Sequence, residues 1–129
     1  MKAILFVDDH EVLARLSCQI IQMQGYSADY AYNAGDAIAK FKHGNYQMLV
    51  TDLRMEDMDG LQLAKEIRQQ SPGLPVVVVT GLTPVEQEGD EKYSWLEKQY
   101  LFPALLDKIK EMIGEPDEAA TPLKALQSA

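Results

Sequence analysis

The sequence predicts an α/β domain built on a parallel sheet with right-handed crossovers. Five short runs of apolar and β-branched residues alternate along the chain with five segments of helical pattern. The run that ends at Val7 is continuously apolar, as in a strand that is buried on both faces of a sheet. The 129 residues suffice for one domain of ordinary size with a real core.

The first half of the chain supplies three predicted strands and two predicted helices. The predicted strands are residues 2–7, 28–32 and 46–51. The first helix covers residues 11–24 and stops at Gly25. Its predicted apolar stripe consists of Leu13, Leu16, Ile20 and Met23. Asn33 is the predicted N-cap of the second helix, which continues through Phe41.

The second half continues the same alternation. A third helix opens at Asp59 or Gly60 and ends at the Ser-Pro-Gly of residues 71–73. Residues 74–80 form the most hydrophobic strand, and residues 94–98 form the fifth. Between them, a capping-box pattern with Pro84 at the first helical position predicts a fourth helix of only one or two turns. The last helix covers residues 103–113. Its apolar face consists of Leu105, Leu106, Ile109 and Met112.

Charge and composition narrow the class of partner. The formal charge of −8 and the excess of 20 acids over 12 Lys and Arg residues argue against direct contact with nucleic acid. Proteins or cations are the expected partners. One cysteine, Cys18, cannot form an internal disulfide and is predicted to fill the core or its boundary. No run looks like a membrane span or a signal peptide, so we expect a cytoplasmic location.

Polar residues follow several predicted strands at their carboxyl ends. Asp8 and Asp9 follow strand one, Asp52 follows strand three, Thr80 ends strand four and Lys98 ends strand five. Each has an ordinary alternative role, as a helix cap, a strand-end residue or a solvated charge. If the strand order is 2-1-3-4-5, three carboxylates converge, which is unfavourable without a cation. Hard oxygen ligands favour Mg²⁺ or Mn²⁺, and a carboxylate beside such a metal, an ammonium and a hydroxyl suits phosphoryl transfer.

At these residues the sequence resembles the receiver domain of bacterial two-component response regulators. Residues 7–9 are Val-Asp-Asp, and residues 52–60, Asp-Leu-Arg-Met-Glu-Asp-Met-Asp-Gly, are similar to the family's D-x-x-M-P-x-M-D-G. Thr80 ends a valine strand, and residues 95–98, Trp-Leu-Glu-Lys, match the family's aromatic-L-x-K. The resemblance covers residues 2–113. It implies a flavodoxin-like, doubly wound sheet of order 2-1-3-4-5 with helices on both faces.

The resemblance also implies a role for each residue of the set. Asp52 would be phosphorylated by a histidine kinase or a phosphotransfer protein. The implied Mg²⁺ ligands are Asp9, Asp52 and the backbone carbonyl of Arg54, with Asp8 acting through a water. Thr80 and Lys98 would hold the phosphoryl oxygens. Trp95 would turn inward when the domain is phosphorylated, its alternative role being a boundary residue that packs on the last helix.

The chain departs from the family pattern at three places. Gln99 replaces the family's proline after the lysine, and since a cis bond before a non-proline residue costs about 2.5–4 kcal/mol, we predict a trans Lys98–Gln99 bond. Glu56 replaces the proline of the loop after Asp52 and is predicted to face solvent. Only 98 − 80 = 18 positions separate Thr80 from Lys98, which shortens the fourth helix by about one turn.

Residues 1–114 are therefore predicted to be a receiver domain and residues 115–129 a flexible tail or linker. The favoured function is a phosphorylation-dependent switch that acts on a protein effector and has no enzymatic activity beyond its own phosphorylation and dephosphorylation. A homodimer is compatible with this function. Two alternatives stay open: a phosphate-independent interaction module on the same fold, and a metal-dependent phosphohydrolase. The phosphohydrolase signature D-x-D would need an acid at position 10, where His10 stands.

Overall fold

The computed structural model describes residues 3–81, 93–98 and 101–116, which form five strands and four helices. The strands are β1 (Ala3–Val7), β2 (Ser27–Ala31), β3 (Met48–Asp52), β4 (Val76–Thr80) and β5 (Tyr93–Glu97). The helices are α1 (Glu11–Met23), α2 (Ala34–His43), α3 (Gly60–Gln70) and α4 (Leu101–Ile113). The predicted short fourth helix, the Lys98–Gln99 bond and most of the predicted tail lie outside the described residues. The predicted fifth helix is therefore α4.

All five strands are parallel and follow the order β2-β1-β3-β4-β5, which confirms the predicted topology. The register aligns Val7 with Thr51 and Asp52 with Val79. The carboxyl ends of β1, β3 and β4 therefore meet at one edge of the sheet. This is the edge where ligands bind in open α/β sheets.

Two apolar clusters cover the two faces of the sheet. The first, between the sheet and helices α1 and α4, includes Ile4, Phe6, Val50, Val77, Leu105 and Ile109. The second, between the sheet and helices α2 and α3, includes Leu5, Val7, Leu49, Leu63, Ile67 and Val78. Successive residues of one strand alternate between the clusters. The inner strands β1, β3 and β4 are almost entirely buried, whereas the edge strands β2 and β5 are mostly half-buried and contain polar residues such as Asp29 and Ser94.

The buried face of α1 differs from the predicted stripe. Leu16 and Met23 are 49% and 67% exposed, as is Val12 at 57%. The residues that α1 buries are Ala14, Ser17, Cys18 and Ile21. Leu13 and Ile20 of the predicted stripe are partly buried, and Leu13 packs against the first cluster. The buried face is therefore shifted around the helix from the predicted stripe, toward the small residues Ala14, Ser17 and Cys18. Cys18 is buried, as predicted, and burial raises its pKa to about 12.

The helix ends follow the predicted capping residues. The Asn33 side chain accepts a hydrogen bond from the Asp36 amide at 2.7 Å, and α2 continues two residues past Phe41. Asp59 caps α3 in a reciprocal capping box with Gln62. In α4, Phe102 is extended, with φ −117° and ψ 137°, because Pro103 follows it. Regular helix is therefore possible only from Pro103 onward, where the sequence placed its start.

The end of α4 is tied to the loop between α1 and β2. The Tyr26 hydroxyl donates to the Gly114 carbonyl at 2.7 Å, and Gly114 has a positive φ of 79°, as expected for a residue that ends a helix. This bond joins residues 88 positions apart. None of the helices in the described ranges has the length and apolar character needed to cross a bilayer.

Candidate functional site

The loop after β1 holds the first carboxylate of the site in a fixed position. The Asp8 side chain is 1% exposed, and its Oδ1 accepts a hydrogen bond from the His10 amide at 2.9 Å. His10 is the N-cap of α1, where its Nδ1 accepts from the Leu13 amide at 3.2 Å. The position that a D-x-D signature would give to a second acid therefore belongs to a helix cap.

A single lysine joins the two buried acids across the sheet edge. Lys98 Nζ lies 3.2 Å from Oδ2 of Asp8 and 3.4 Å from Oδ2 of Asp52. β5 ends at Glu97, so Lys98 is the first residue beyond the strand and can reach over β4 to β3 and β1. The structure thus brings together residues that are 46 and 90 positions from one another in the chain, as the sequence predicted.

Asp9 completes a group of three carboxylates with the composition of a metal site. Asp8, Asp9 and Asp52 each offer an oxygen within 4.8 Å of the others. Asp9 is exposed and the other two are buried, so the group opens toward solvent on one side. When ionised, three carboxylates and one ammonium leave two net negative charges. A divalent cation with a preference for oxygen, such as Mg²⁺, fits this donor set.

The two partners of the Lys98–Asp52 pair differ in their electrostatic surroundings. Burial raises the pKa of Asp52, the negative charge of Asp8 raises it further, and the Lys98 ammonium only partly opposes them. Burial lowers the pKa of Lys98, but Asp8 and Asp52 together shift the net pKa above its ordinary value. The lysine faces two carboxylates, whereas Asp52 faces one ammonium and two carboxylates, those of Asp8 and Asp9. Both pKa values are therefore raised.

The chain turns tightly after Asp52. The Leu53 amide donates to the Val79 carbonyl at 2.8 Å, and the Leu53 carbonyl accepts from the Gly60 amide at 2.7 Å. Gly60 packs directly on the carbonyl of Asp52, so that a Cβ at position 60 would overlap this backbone oxygen. Only glycine lets α3 begin so close to the end of β3, which explains the glycine that closes the 52–60 motif.

The remaining predicted site residues lie around this edge. Thr80 is buried at the end of β4, beside β3, and Arg54 is exposed two residues beyond Asp52. Glu56 is exposed, as predicted. Trp95 is partly buried and packs against the cluster that α2 and α3 cover. The alternative that places Trp95 on the last helix is therefore wrong, because α4 packs on the opposite face of the sheet.

One residue near the site had no predicted role. Asp57, in the loop after Asp52, accepts hydrogen bonds from the amides of Ala34 and Gly35 at the start of α2. The contact joins segments 22 and 23 positions apart, which local sequence patterns do not reveal. An acid in the sixth position of the 52–60 motif was the only available signal.

Comparison with known proteins identifies the family. The family model of the response regulator receiver domain matches residues 4–94, which is more than half of the chain. The chain belongs to this family. The match confirms the predicted recognition and places the protein among the phosphoryl-accepting signalling domains of two-component systems.

Individual relatives agree with this membership. The transcriptional regulatory protein GlrR of Escherichia coli K12 is 29% identical over 123 residues, covering 89% of this chain and 28% of GlrR. This chain thus spans little more than a quarter of that relative. The receiver protein CpdR of Brucella abortus is 25% identical over 117 residues, covering 88% of this chain and 98% of CpdR.

Solved structures show the same fold. The response regulator TrrA of Thermotoga maritima, in complex with Mg²⁺ and BeF, has a TM-score of 0.79 and 30% identity, with 88% of this chain and all of TrrA covered. TrrA in complex with the histidine kinase ThkA has a TM-score of 0.74 over 88% of this chain and 99% of TrrA. The predicted flavodoxin-like sheet is confirmed.

Proposed function

We propose that the protein is a signalling switch in which Asp52 accepts a phosphoryl group from a phosphohistidine of a histidine kinase or a phosphotransfer protein. The observation that carries this assignment is the position of Lys98, which lies within 3.4 Å of a carboxylate oxygen of both Asp8 and Asp52. The complex of TrrA with ThkA supports a kinase as the partner.

In the proposed reaction, an Asp52 carboxylate oxygen attacks phosphorus. A P–O bond forms, the P–N bond to the donor imidazole breaks, and the imidazole keeps the electron pair and takes up a proton. The Lys98 ammonium lies where it can neutralise charge on a phosphoryl oxygen, and the Thr80 hydroxyl can donate to another. The acyl phosphate is later hydrolysed, which returns Asp52 to its free carboxylate. The proposed chemistry is therefore limited to phosphorylation and dephosphorylation of the domain's own residue.

The acidic group provides the proposed cation site. Asp9, Asp52 and the Arg54 carbonyl would bind Mg²⁺ directly, with Mn²⁺ as a substitute, and Asp8 would act through a water. Bound Mg²⁺ supplies positive charge to the transferring phosphoryl group. The TrrA structure with Mg²⁺ and BeF supports this assignment. Asp8, which is already bonded to the His10 amide and to Lys98, is better placed to orient neighbours than to bind metal directly.

Phosphorylation would replace the Lys98–Asp52 contact by contacts to the phosphoryl group and so favour a second arrangement of this edge. Thr80 ends β4 and Trp95 lies in β5, so both can transmit the change to the outer part of the sheet. The output is proposed to be a protein effector, since the net charge of −8 disfavours direct nucleic-acid contact. A homodimer and a cytoplasmic location are consistent with the same switch.

We further propose that residues 1–114 form the receiver domain and residues 115–129 a tail or linker. The end of α4 at Ile113 and the helix-ending conformation of Gly114 support this boundary. The comparisons lend no support to a phosphate-independent module.

Incubation with a small phosphodonor, followed by intact mass measurement, tests the proposal. The wild-type chain should gain the mass of one phosphoryl group, and the gain should need Mg²⁺ and be labile to hydrolysis. Asp52→Asn should gain none. A stable wild-type mass under these conditions would favour the module that signals without phosphate.

A further inference from the structure

The loop that follows Asp52 is fixed at its neck and at its tip by different contacts. At the neck, the Gly60 amide donates to the Leu53 carbonyl at 2.7 Å. At the tip, the Asp57 carboxylate reaches the first turn of α2, where Oδ1 accepts from the Ala34 amide at 3.2 Å and Oδ2 accepts from the Gly35 amide at 3.0 Å. The segment between these two points carries Arg54.

The tip contact completes the cap of α2. The first bond within the helix runs from the Ala37 amide to the Asn33 carbonyl, so the amides of Ala34, Gly35 and Asp36 come before the first helical donor. The side chain of Asn33, the helix's own N-cap, accepts from the Asp36 amide at 2.7 Å. Asp57 accepts from the other two, so two residues from different parts of the chain divide the cap between them.

The chemistry of Asp57 suits this contact. A carboxylate at a helix N-terminus gains from the amide hydrogen bonds and from the positive end of the helix dipole. Slight burial raises the pKa of Asp57, but hydrogen bonds from the Gly35 and Ala34 amides outweigh it and lower the net pKa. The ionised form that makes the contact is therefore the form present at neutral pH.

We propose that Asp57 is a positioning residue that fixes the loop after Asp52 by joining it to α2. This inference rests on the proposed function, in which the Arg54 carbonyl of that loop binds Mg²⁺. With the neck held by Leu53 and Gly60 and the tip held by α2, the backbone at position 54 has little freedom. Without the tip contact, the loop is joined to the rest of the domain by its neck, by the capping box of Asp59 with Gln62 and by its apolar contacts.

A pair of variants at the same helix end tests the inference. Asp57→Ala removes the contact between the loop and α2 and also the bond that Asp57 accepts from the Met58 amide within the loop. Asn33→Ala removes a cap of the same helix and leaves these contacts in place. Both should destabilise the protein to a similar extent. We expect Mg²⁺ affinity to fall about tenfold in Asp57→Ala, at the low end of the effect of losing a partner that orients a metal ligand. Asn33→Ala should bind Mg²⁺ as the wild type does, and Asp57→Asn, which keeps an acceptor oxygen, should retain most of the affinity.

Both readouts come from NMR of the full 129-residue chain: a MgCl₂ titration, and amide exchange without metal. The Gly60 amide bonds to Leu53 rather than to Asp57, so its exchange reports on the neck of the loop. It should exchange faster in Asp57→Ala than in Asn33→Ala. Unchanged Gly60 exchange in Asp57→Ala, or equal effects of the two variants, would overturn the inference. Absence of Mg²⁺ binding by the wild type would instead refute the proposed function, while the exchange data would still decide the role of Asp57.

Discussion

Replacing Lys98 by methionine tests the electrostatic balance of the site. Methionine keeps an unbranched apolar stem and removes the ammonium that lies 3.2 Å from Asp8 and 3.4 Å from Asp52. The two buried carboxylates then face each other and Asp9 without a compensating charge. We expect a marked loss of stability in Mg²⁺-free buffer.

The distances set the size of this loss. With an effective dielectric constant of about 20, each contact contributes about 5 kcal/mol of Coulomb attraction. Desolvation of the charged groups offsets most of that sum, and breaking buried ion pairs costs about 3–5 kcal/mol. Because the Lys98 side chain is 33% exposed, solvent screens part of the interaction, and we expect a loss of about 2–3 kcal/mol.

The effects of pH and metal have definite signs. Pairing raises the folded-state pKa of Lys98, so its contribution is complete at neutral pH and is lost only as the pH rises above its ordinary value of 10.5. Mg²⁺ should stabilise Lys98→Met more than the wild type, since the variant's acidic group carries one more net negative charge. The stability difference should therefore narrow when Mg²⁺ is added.

Urea unfolding with and without Mg²⁺ measures both effects, and methionine at the exposed Lys65 of α3 serves as a control. The Lys65 variant should differ little from the wild type. A loss of unfolding free energy below about 0.5 kcal/mol in Lys98→Met would show that Lys98 forms only an ordinary surface ion pair and does not compensate the buried carboxylates. If Mg²⁺ left the stability difference between the wild type and Lys98→Met unchanged, the metal would not bind beside Lys98.

Three further predictions concern the same sheet edge and the end of the domain. Without metal, Asp52→Asn should be more stable than the wild type at neutral pH, because the pKa of Asp52 is raised and wild-type stability therefore falls as the pH rises above 3.8. Thermal unfolding should show the stabilities of the two proteins converging in acid, and a constant difference between them at all pH values would contradict this. Gly60→Ala should lower the free energy of unfolding in urea by about 1–3 kcal/mol, because the added methyl group overlaps the Asp52 backbone. Gly35→Ala should not lower it, because the nearest atom to a Cβ added there is 3.5 Å away. Tyr26→Phe should lower the free energy of unfolding by about 1 kcal/mol, because it removes the hydrogen bond to Gly114. A variant as stable as the wild type would show that water replaces that bond.

The sequence was sufficient to predict the sheet and its functional edge. The inner strands β1, β3 and β4 are buried on both faces, so apolar runs marked them, and the acids that follow β1 and end β3 stood out against these runs. Caps such as Asn33 and Asp59 were also predictable, because their hydrogen bonds reach only three residues along the chain.

Two features were not predictable, for different physical reasons. On α1, apolar residues occur on more than one side, and the buried side is the one whose small residues, Ala14, Ser17 and Cys18, permit close packing on the sheet. Only the neighbouring layer decides between such faces. The bond from Asp57 to α2 depends on the distance between two loops, which follows from the packed layers and from no local pattern.

Asp52 itself is expected to carry the phosphoryl group. Reduction with borohydride converts an aspartyl phosphate to homoserine, and peptide mass spectrometry then identifies the modified residue. After treatment with a phosphodonor and Mg²⁺, we expect homoserine at position 52 and unmodified residues at Asp8 and Asp9. Homoserine at the position of another acid, or no homoserine after a verified phosphoryl mass gain, would show that Asp52 is not the phosphorylated residue.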